Sequence, residues 1–138
     1  MKYYIGTVSK EHVLIGLKSG FCQFCHGKLW PAKKLMKGDW VIYYSPKDKF
    51  QNHKPYKKFT AIGQIINDEA YQIEQFPGFK PFRRDIDYKK CTEVSLDEVS
   101  ELLQFTKDKG YGMLFRRGFF EISKFDFEVI FGKMMLTQ

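Results

Sequence analysis

The stretch at residues 40–45, Trp-Val-Ile-Tyr-Tyr-Ser, decides the fold class of this chain. Aromatic and β-branched side chains fill every position but the last, and such side chains fit a pleated, half-buried surface. We therefore predict a strand here. Outward from it, residues 2–8 and 82–88 show the same strand composition, and residues 59–66 and 70–75 are predicted to pair as a hairpin. Residues 111–122 are predicted to be strand and turn.

Three serines are placed as helix N-caps between these strands. Ser9 precedes an apolar stripe, Ser95 begins a capping box that predicts a helix to about residue 105, and Ser123 precedes the last helix. The side chains predicted to face inward are Val13, Leu14, Leu17, Val99, Leu102, Leu103, Phe127, Ile130, Phe131 and Met134. Strands with helices at the start, near the end and at the C-terminus predict an α+β fold with an antiparallel sheet or partly open barrel. Residues 46–56 are predicted to form an exposed polar loop.

Length and charge point to one domain with a polyanionic partner. The chain has 138 residues, of which 17% are aromatic, and its net charge is +7. The charge is uneven, because residues 1–60 carry twelve lysines and three acidic residues. A basic half favours binding to phosphates, as in a nucleic acid. The alternative is a lysine-rich surface that is merely solvated.

Cysteine usage and hydropathy indicate a cytoplasmic protein with no membrane partner. The three cysteines, an odd number, are expected to be reduced thiols, and no apolar run approaches the roughly 20 residues that span a bilayer. Residues 22–26 match the c-type haem attachment pattern, but no export signal is seen, so we reject that interpretation. A zinc site needs about four ligands, which the spacing does not supply. No metal and no cofactor is therefore expected.

The tripeptide His26-Gly27-Lys28 is a candidate binding segment. Glycine allows a ligand to approach the backbone closely, and lysine offers a charge to a phosphate. An alternative is an enzyme, or a small-ligand binder, in which His26 acts as acid or base and Lys28 holds an anion. No second titratable partner is visible in the sequence. We therefore predict no catalytic residues.

All four arginines occur in two pairs, Arg83-Arg84 and Arg116-Arg117, and each pair follows a phenylalanine. Neighbouring side chains on a strand point to opposite faces, so each pair is predicted to send one arginine to a ligand and one to solvent. Arginine forks suit phosphates and base edges, and rings beside them suit stacked bases. Ion pairing with nearby acidic residues is the structural alternative.

Seven segments in fixed order resemble the EVE-domain family, which belongs to the PUA-like group and is related to YTH domains. They are residues 4–13, 26–28, 37–39, 42–47, 59–63, 81–84 and 117–122. The resemblance covers nearly the whole chain and implies a single domain over residues 1–138. It also implies a PUA-like, mixed and partly open β-barrel with helices packed around it. Tyr3 and Tyr4 stand where many relatives have a tryptophan.

The resemblance further implies a nucleic-acid-binding module, for DNA or RNA, that accommodates a modified or flipped base in an aromatic pocket. An extruded base needs stacking partners and hydrogen bonds to its edge. The sequence does not decide whether Tyr43 or Tyr44 faces the pocket. The candidate binding residues, from the motifs and the resemblance together, are Ser9, Gln23, His26, Gly27, Lys28, Tyr43, Tyr44, Ser45, Pro46, Lys47, Phe82, Arg83, Arg84, Arg116 and Arg117.

Overall fold

In the computed structural model, which describes residues 1–49 and 54–135, one strongly curled sheet forms a half-barrel with helices around it. This confirms the predicted α+β class. The strands are β1 (Tyr3–Thr7), β2 (Phe21–Cys22), β3 (Trp40–Lys47), β4 (Pro55–Ile65), β5 (Tyr71–Gln72), β6 (Phe82–Tyr88), β7 (Val94–Ser95) and β8 (Phe119–Ile122). The α-helices are α1 (Lys10–Ser19), α2 (Leu29–Lys34), α3 (Leu96–Val99), α4 (Gly112–Arg117) and α5 (Lys124–Met135), with short 3-10 turns at Cys25–Gly27 and Phe105–Lys107.

The strand predicted at residues 40–45 lies in the middle of the sheet. The strand order is β2-β6-β4-β3-β1-β8, with β5 added to β6 and β7 added to β4. Strands β1 and β3 run parallel, with Tyr3 opposite Trp40, and the other pairs are antiparallel. Because β3 is covered on both edges and both faces, its residues are apolar at nearly every position.

Alternate side chains of β3 enter two separate cores, one on each face of the sheet. The front core, packed beneath α1, contains Tyr4, Val13, Phe24, Val41, Tyr43 and Phe119. The rear core, packed beneath α3 and α5, contains Ile5, Ile42, Tyr44, Val99, Phe120 and Ile130. The sheet thus places Tyr43 and Tyr44 on opposite faces. The cleft described below opens on the front face.

The strand at residues 82–88 and the last helix confirm their predictions. Strand β6 has the predicted bounds. At the start of α5 the Asp126 N–H donates to Ser123 Oγ at 3.1 Å, which is the predicted cap. The apolar face of α5 buries Phe127 and Ile130 in the rear core. Burial of that face anchors the C-terminal helix against the sheet.

The predicted hairpin of residues 59–66 with 70–75 is wrong. Strand β5 pairs with β6, where Tyr71 lies opposite Arg83, and β4 lies between β3 and β6. Both edges of β4 are therefore occupied by other strands, which leaves no place for residues 70–75 beside it. A sequence pattern predicts that a segment is extended but not which partner it finds.

Two helix predictions are also wrong in extent. Helix α3 stops at Val99, and Leu102 is 54% exposed instead of facing inward. The Asp126 carboxylate accepts the backbone N–H groups of Gln104 and Phe105 at 2.7 and 3.0 Å. Because these N–H groups bond to Asp126 on α5, the helix does not continue to residue 105. On α1, Leu14 and Leu17 are exposed, because Val13 and Gly16 form the buried face.

Residues 111–122 begin with helix α4 and only then form a strand, β8, so that prediction is correct for its second half alone. The predicted polar loop at residues 46–56 is shorter than expected, because β3 runs to Lys47 and β4 begins at Pro55. Its middle, residues 50–53, lies outside the described residues. No helix in the described part of the chain is long and apolar enough to cross a membrane.

Candidate functional site

A cleft of about 730 Å³ opens on the front face, within the size range of small-molecule sites. It lies where the end of β1, the turn at Cys25–Gly27 and the end of α4 converge with residues 75–79. Its lining residues are Thr7, Val8, Ser9, His12, Ile15, Gly16, Phe21, Gln23, Cys25, His26, Gly27, Lys28, Trp30, Tyr43, Pro46, Lys47, Gln75, Phe76, Phe79, Phe115, Arg116, Arg117 and Gly118.

Aromatic rings line the walls of the cleft and leave part of their surface open. Trp30 is 44% exposed, with its edge against Phe119 at 5.8 Å between centroids. In the same lining Phe76, 56% exposed, stacks on Phe79 at 5.0 Å between ring centroids. Exposed rings that share one concave surface indicate a binding site more than a chance distribution of apolar residues.

Two hydroxyl groups in the cleft lack hydrogen-bond partners. Thr7 Oγ1 and Ser9 Oγ are buried, and neither makes a hydrogen bond with the described residues. Ser9 is the N-cap residue of α1, yet its side chain makes no cap hydrogen bond. A buried hydroxyl without a partner costs about 1–3 kcal/mol, and both residues line the cleft, so a ligand that reaches these atoms by a small shift of the wall recovers that cost.

Four cationic side chains surround the cleft. Lys28 and Lys47 lie at the 3-10 turn and at the end of β3, and Arg116 and Arg117 form the last turn of α4. All four are exposed. Their charges favour an anionic ligand at the mouth of the cleft.

The inner wall is fixed by Tyr43. Its hydroxyl donates to the Gln23 carbonyl oxygen at 3.0 Å and accepts from the Gln23 N–H at 3.1 Å. Burial raises the pKa of Tyr43 well above its ordinary value, so the hydroxyl stays neutral. Tyr43 therefore supports the Gln23 backbone from behind, and its one O–H is used in doing so.

Among the described residues, no group of three or more His, Cys, Asp or Glu side chains is placed to hold a metal ion. Cys25 lines the cleft and donates through Sγ to the Arg117 carbonyl oxygen at 3.5 Å. Burial raises the pKa of the Cys25 thiol, and the nearby Lys28 charge offsets only part of that rise. A raised pKa lowers the thiolate fraction, and thiolate is the reactive form.

A comparison with known protein families identifies the family of this chain. The family model described as the EVE domain matches residues 2–133. The chain belongs to the EVE-domain family. Similar proteins include the UPF0310 protein YdcG of Bacillus subtilis, 46% identical over 93% of this chain and 88% of that protein. A UPF0310 protein of Streptococcus sanguinis is 44% identical over 98% of this chain and 94% of its own length.

Solved structures share the fold of this EVE domain at low sequence identity. An NMR structure of a protein from Rhodopseudomonas palustris has a TM-score of 0.61 and 18% identity, covering 100% of this chain and 96% of that one. A hypothetical protein from Leishmania major has a TM-score of 0.60 and 12% identity, covering 95% of this chain and 92% of that one. These likenesses concern the fold alone.

The EVE domain gathers most of the predicted binding residues around the cleft, although they come from four separate parts of the chain. Tyr43, and not Tyr44, faces it. The predicted residues that line the cleft are Ser9, Gln23, His26, Gly27, Lys28, Tyr43, Pro46, Lys47, Arg116 and Arg117.

Five predicted residues do not line the cleft: Tyr44, Ser45, Phe82, Arg83 and Arg84. Tyr44 stacks on Phe115 in the rear core, because it is one residue along β3 from Tyr43. Ser45 is fully buried and its hydroxyl bonds to Thr60 Oγ1 at 2.9 Å. The hydroxyl of Ser45 is therefore a structural group within the sheet.

The prediction that each arginine pair divides between ligand and solvent is wrong. Arg83 and Arg84 are both buried, at 7% and 1% exposure. Arg84 is held by backbone and amide oxygens behind α2, and Arg83 lies on the Phe21 ring at 3.6 Å. Arg116 and Arg117 lie on a helix instead of a strand, and both line the cleft.

Four residues of the cleft wall, three aromatic rings and one glutamine, were not predicted from the sequence: Trp30, Phe76, Phe79 and Gln75. A signal was present in residues 76–79, Phe-Pro-Gly-Phe, because Pro-Gly marks a turn and a turn exposes its flanking side chains. Nothing in the local sequence of Trp30 separates it from a core residue.

Gly27→Ala is expected to destabilise the EVE domain by about 1–3 kcal/mol more than Gly78→Ala. Both glycines have left-handed φ values, +82° and +86°, so both alanines have the same backbone strain. A Cβ at position 27 would lie 2.3 Å from Pro81 Cβ and 2.7 Å from Pro81 Cα, whereas a Cβ at position 78 meets nothing within 4 Å. Urea unfolding of the two variants measures the difference, and equal losses would contradict the close packing at Gly27.

Proposed function

We propose that this EVE domain is a nucleic-acid-binding module that accommodates a modified or flipped base in the cleft, and that it is not an enzyme. Membership in the EVE-domain family suggests a PUA-like nucleic-acid-binding module. The observation that carries the proposal is the pair of unpartnered hydroxyls, Thr7 Oγ1 and Ser9 Oγ, in a cleft walled by open aromatic rings.

A base is the ligand that this combination of groups suits best. Its faces stack on rings such as Trp30 and Phe76, and stacking contributes about 1–3 kcal/mol per base. Its edge supplies donors and acceptors to hydroxyls, each of which can donate and accept. A purely apolar ligand would leave both hydroxyls unpaired.

The charge around the cleft favours a base that is part of a strand. Lys28, Lys47, Arg116 and Arg117 stand around the mouth, where the phosphates flanking an inserted base would lie. Arginine forks also match phosphate oxygens in pairs. The aromatic interior of the cleft thus suits the base of a nucleotide, and the cationic mouth suits its phosphates.

Catalysis by the cleft is not supported by any specific observation. His26 lies at the 3-10 turn with φ of +59° and is exposed. The thiol beside it, Cys25, has a raised pKa. A catalytic pair needs a base within hydrogen-bond reach of the group that it activates. We assign His26 and Lys28 to binding, because the raised pKa of the neighbouring Cys25 thiol disfavours a Cys–His nucleophile.

Filter-binding titrations test the proposal with matched oligonucleotides, single- and double-stranded, with and without a methylated cytosine or adenine. We expect dissociation constants well below ~100 µM at low salt, because nonspecific phosphate contacts alone reach that range. Tighter binding of one methylated oligonucleotide identifies the base. If no oligonucleotide binds more tightly than ~100 µM, the proposal fails.

Ser9→Ala is expected to weaken oligonucleotide binding about tenfold while leaving the stability of the free protein unchanged or slightly raised. The Ser9 hydroxyl has no partner in the free protein, so its removal breaks no hydrogen bond there. Ser123→Ala is the matched control, because that serine does cap its helix and its loss should cost about 1 kcal/mol. Titration and thermal unfolding of both variants measure the contrast, and a Ser9→Ala variant with full affinity would remove the hydroxyl from the binding site.

A further inference from the structure

Arg83 is a buried arginine that holds two glutamines of the cleft. Its guanidinium lies over the Phe21 ring at 3.6 Å and donates to Gln23 Oε1 at 3.2 Å and to Gln75 Oε1 at 2.9 Å. The side chain is buried, whereas Phe21, Gln23 and Gln75 all line the cleft. Arg83 therefore acts on the cleft surface only through its neighbours.

The orientation of both amides follows from the chemistry of arginine. A guanidinium has five N–H donors and no acceptor, so each glutamine must turn its oxygen toward Arg83. Gln23 Nε2 then donates to Gln75 Oε1 at 3.2 Å. Both lone pairs of Gln75 Oε1 are thereby used, one by Arg83 and one by Gln23.

The amide NH₂ of Gln75 is left as a donor on the opposite side from Arg83. Within residues 1–49 and 54–135, the structure gives Gln75 Nε2 no hydrogen-bond partner, and the side chain is exposed in the lining of the cleft. Gln23 Nε2 has a second N–H as well. At Gln75 the wall beside Phe76 thus offers donors, because both lone pairs of Gln75 Oε1 are already used.

We propose that Arg83 is a positioning residue that turns the NH₂ group of Gln75 toward the ligand, so that this wall selects a hydrogen-bond acceptor oxygen. The inference rests on the proposed function and specifies the ligand of the same cleft. The oxygen has two possible sources in a nucleotide, a keto group on the base edge or a phosphate. A base that presents an amino group at this position meets donor against donor and is rejected.

Nucleoside pairs that differ by a keto or an amino group test the selection. NMR titrations compare uridine with cytidine and inosine with adenosine, each also as the 5′-monophosphate, on the wild-type protein and on Gln75→Glu. A glutamate retains an oxygen for Arg83, so the fold is preserved, but it replaces the outward donor with an acceptor. The double variant Glu74→Gln/Gln75→Glu is the matched control, because it makes the same change at position 75 without altering the net charge.

If the oxygen is a keto group, the wild type binds the keto nucleosides about five- to tenfold more tightly, and both variants reverse that preference. If the oxygen is a phosphate, the monophosphates bind more tightly than their nucleosides and both variants lose that gain. Binding with neither preference, or an unchanged preference in both variants, overturns the inference. The two failures are distinguishable, because the proposed function fails only if no oligonucleotide binds more tightly than ~100 µM, whereas a wild type that binds oligonucleotides but shows neither preference overturns this inference alone.

Arg83→Lys tests the positioning role. A lysine keeps the charge, but its single ammonium cannot present a planar fork to both amides. We expect the selectivity to fall about fivefold while the overall affinity for the favoured ligand falls less. A variant that loses stability yet keeps the wild-type selectivity would show that Arg83 is structural only.

Discussion

Arg84→Met is expected to lower the free energy of unfolding by about 3–5 kcal/mol. Arg84 is 1% exposed, and its guanidinium donates to Asn67 Oδ1 at 2.9 Å, to the Asn67 carbonyl oxygen at 2.6 Å and to the Ala32 carbonyl oxygen at 3.0 Å. It also donates to the Leu35 carbonyl oxygen. Methionine fills a similar volume but removes the guanidinium donor from four acceptor oxygens, although Asn67 Oδ1 keeps a longer bond from the Asp85 N–H at 3.3 Å.

The loss is large because the Ala32 and Leu35 carbonyl oxygens belong to buried residues, where water replaces the guanidinium poorly. A buried polar group without a partner costs about 1–3 kcal/mol, and relaxation recovers part of the sum. The contacts also join the C-terminal end of α2 to the residues after β4, so their loss loosens the segment that follows the cleft turn. Burial lowers the pKa of Arg84, and among the described residues no carboxylate lies within 4.0 Å of it.

Urea unfolding measures this prediction, with Arg117→Met as the matched control. Arg117 is exposed, so the same substitution there should change the free energy of unfolding by no more than about 0.5 kcal/mol. Arg84→Lys should fall between the two, because one ammonium reaches fewer of the four oxygens. Similar stability of Arg84→Met and Arg117→Met would show that the buried contacts contribute nothing.

Raising the salt concentration from about 50 to about 200 mM is expected to weaken oligonucleotide binding about 50- to 150-fold. The reason is that Lys28, Lys47, Arg116 and Arg117 surround the cleft, and each phosphate that a cation neutralises releases condensed counterions. Four such contacts give a slope of about −3 to −4 in log affinity against log salt, depending on whether the strand is single or double.

The Arg116→Gln/Arg117→Gln variant should reduce the slope by about two, so that the same rise in salt weakens binding only about tenfold. Lys124→Gln/Lys133→Gln removes the same charge from α5, which contributes nothing to the cleft lining, and should leave the slope close to that of the wild type. Filter binding at four salt concentrations measures all three slopes. Equal slopes for the two variants would place the phosphates elsewhere on the protein.

Strands could be predicted from the sequence where aromatic and β-branched residues dominate, but the strands that they pair with could not. The predicted bounds of strand β6 are correct. The strand predicted at residues 40–45 is two residues longer than predicted and ends at Lys47. Residues 70–75 were assigned to the wrong neighbour, because a two-residue pairing such as Tyr71 opposite Arg83 depends on which sheet edge is free in three dimensions. Likewise, α3 ends early because the Asp126 carboxylate, which lies 21 residues beyond Phe105, accepts that residue's N–H.

The arginines also show that neighbouring positions in the sequence do not determine which side chains reach the site. As neighbours in sequence, Arg83 and Arg84 suggested a ligand contact, yet both are buried by segments distant in sequence, including Gln23 and Asn67. The rings of Trp30 and Phe76 were missed for the opposite reason, because an aromatic residue is more often in a core than in an open wall. Exposure is a property of the packed chain and has no local signature.

By itself, the sequence of this EVE domain determined the fold class, the family, the excess of positive charge and four of the segments that meet at the cleft. Each of these depends on residue types in order along the chain. Only the tertiary structure decided that Tyr43 faces the cleft, that Ser9 has an unpartnered hydroxyl and that Arg83 directs two amides from beneath the surface. These properties depend on distances between groups far apart in sequence, and such distances exist only once the sheet has curled and closed the front face.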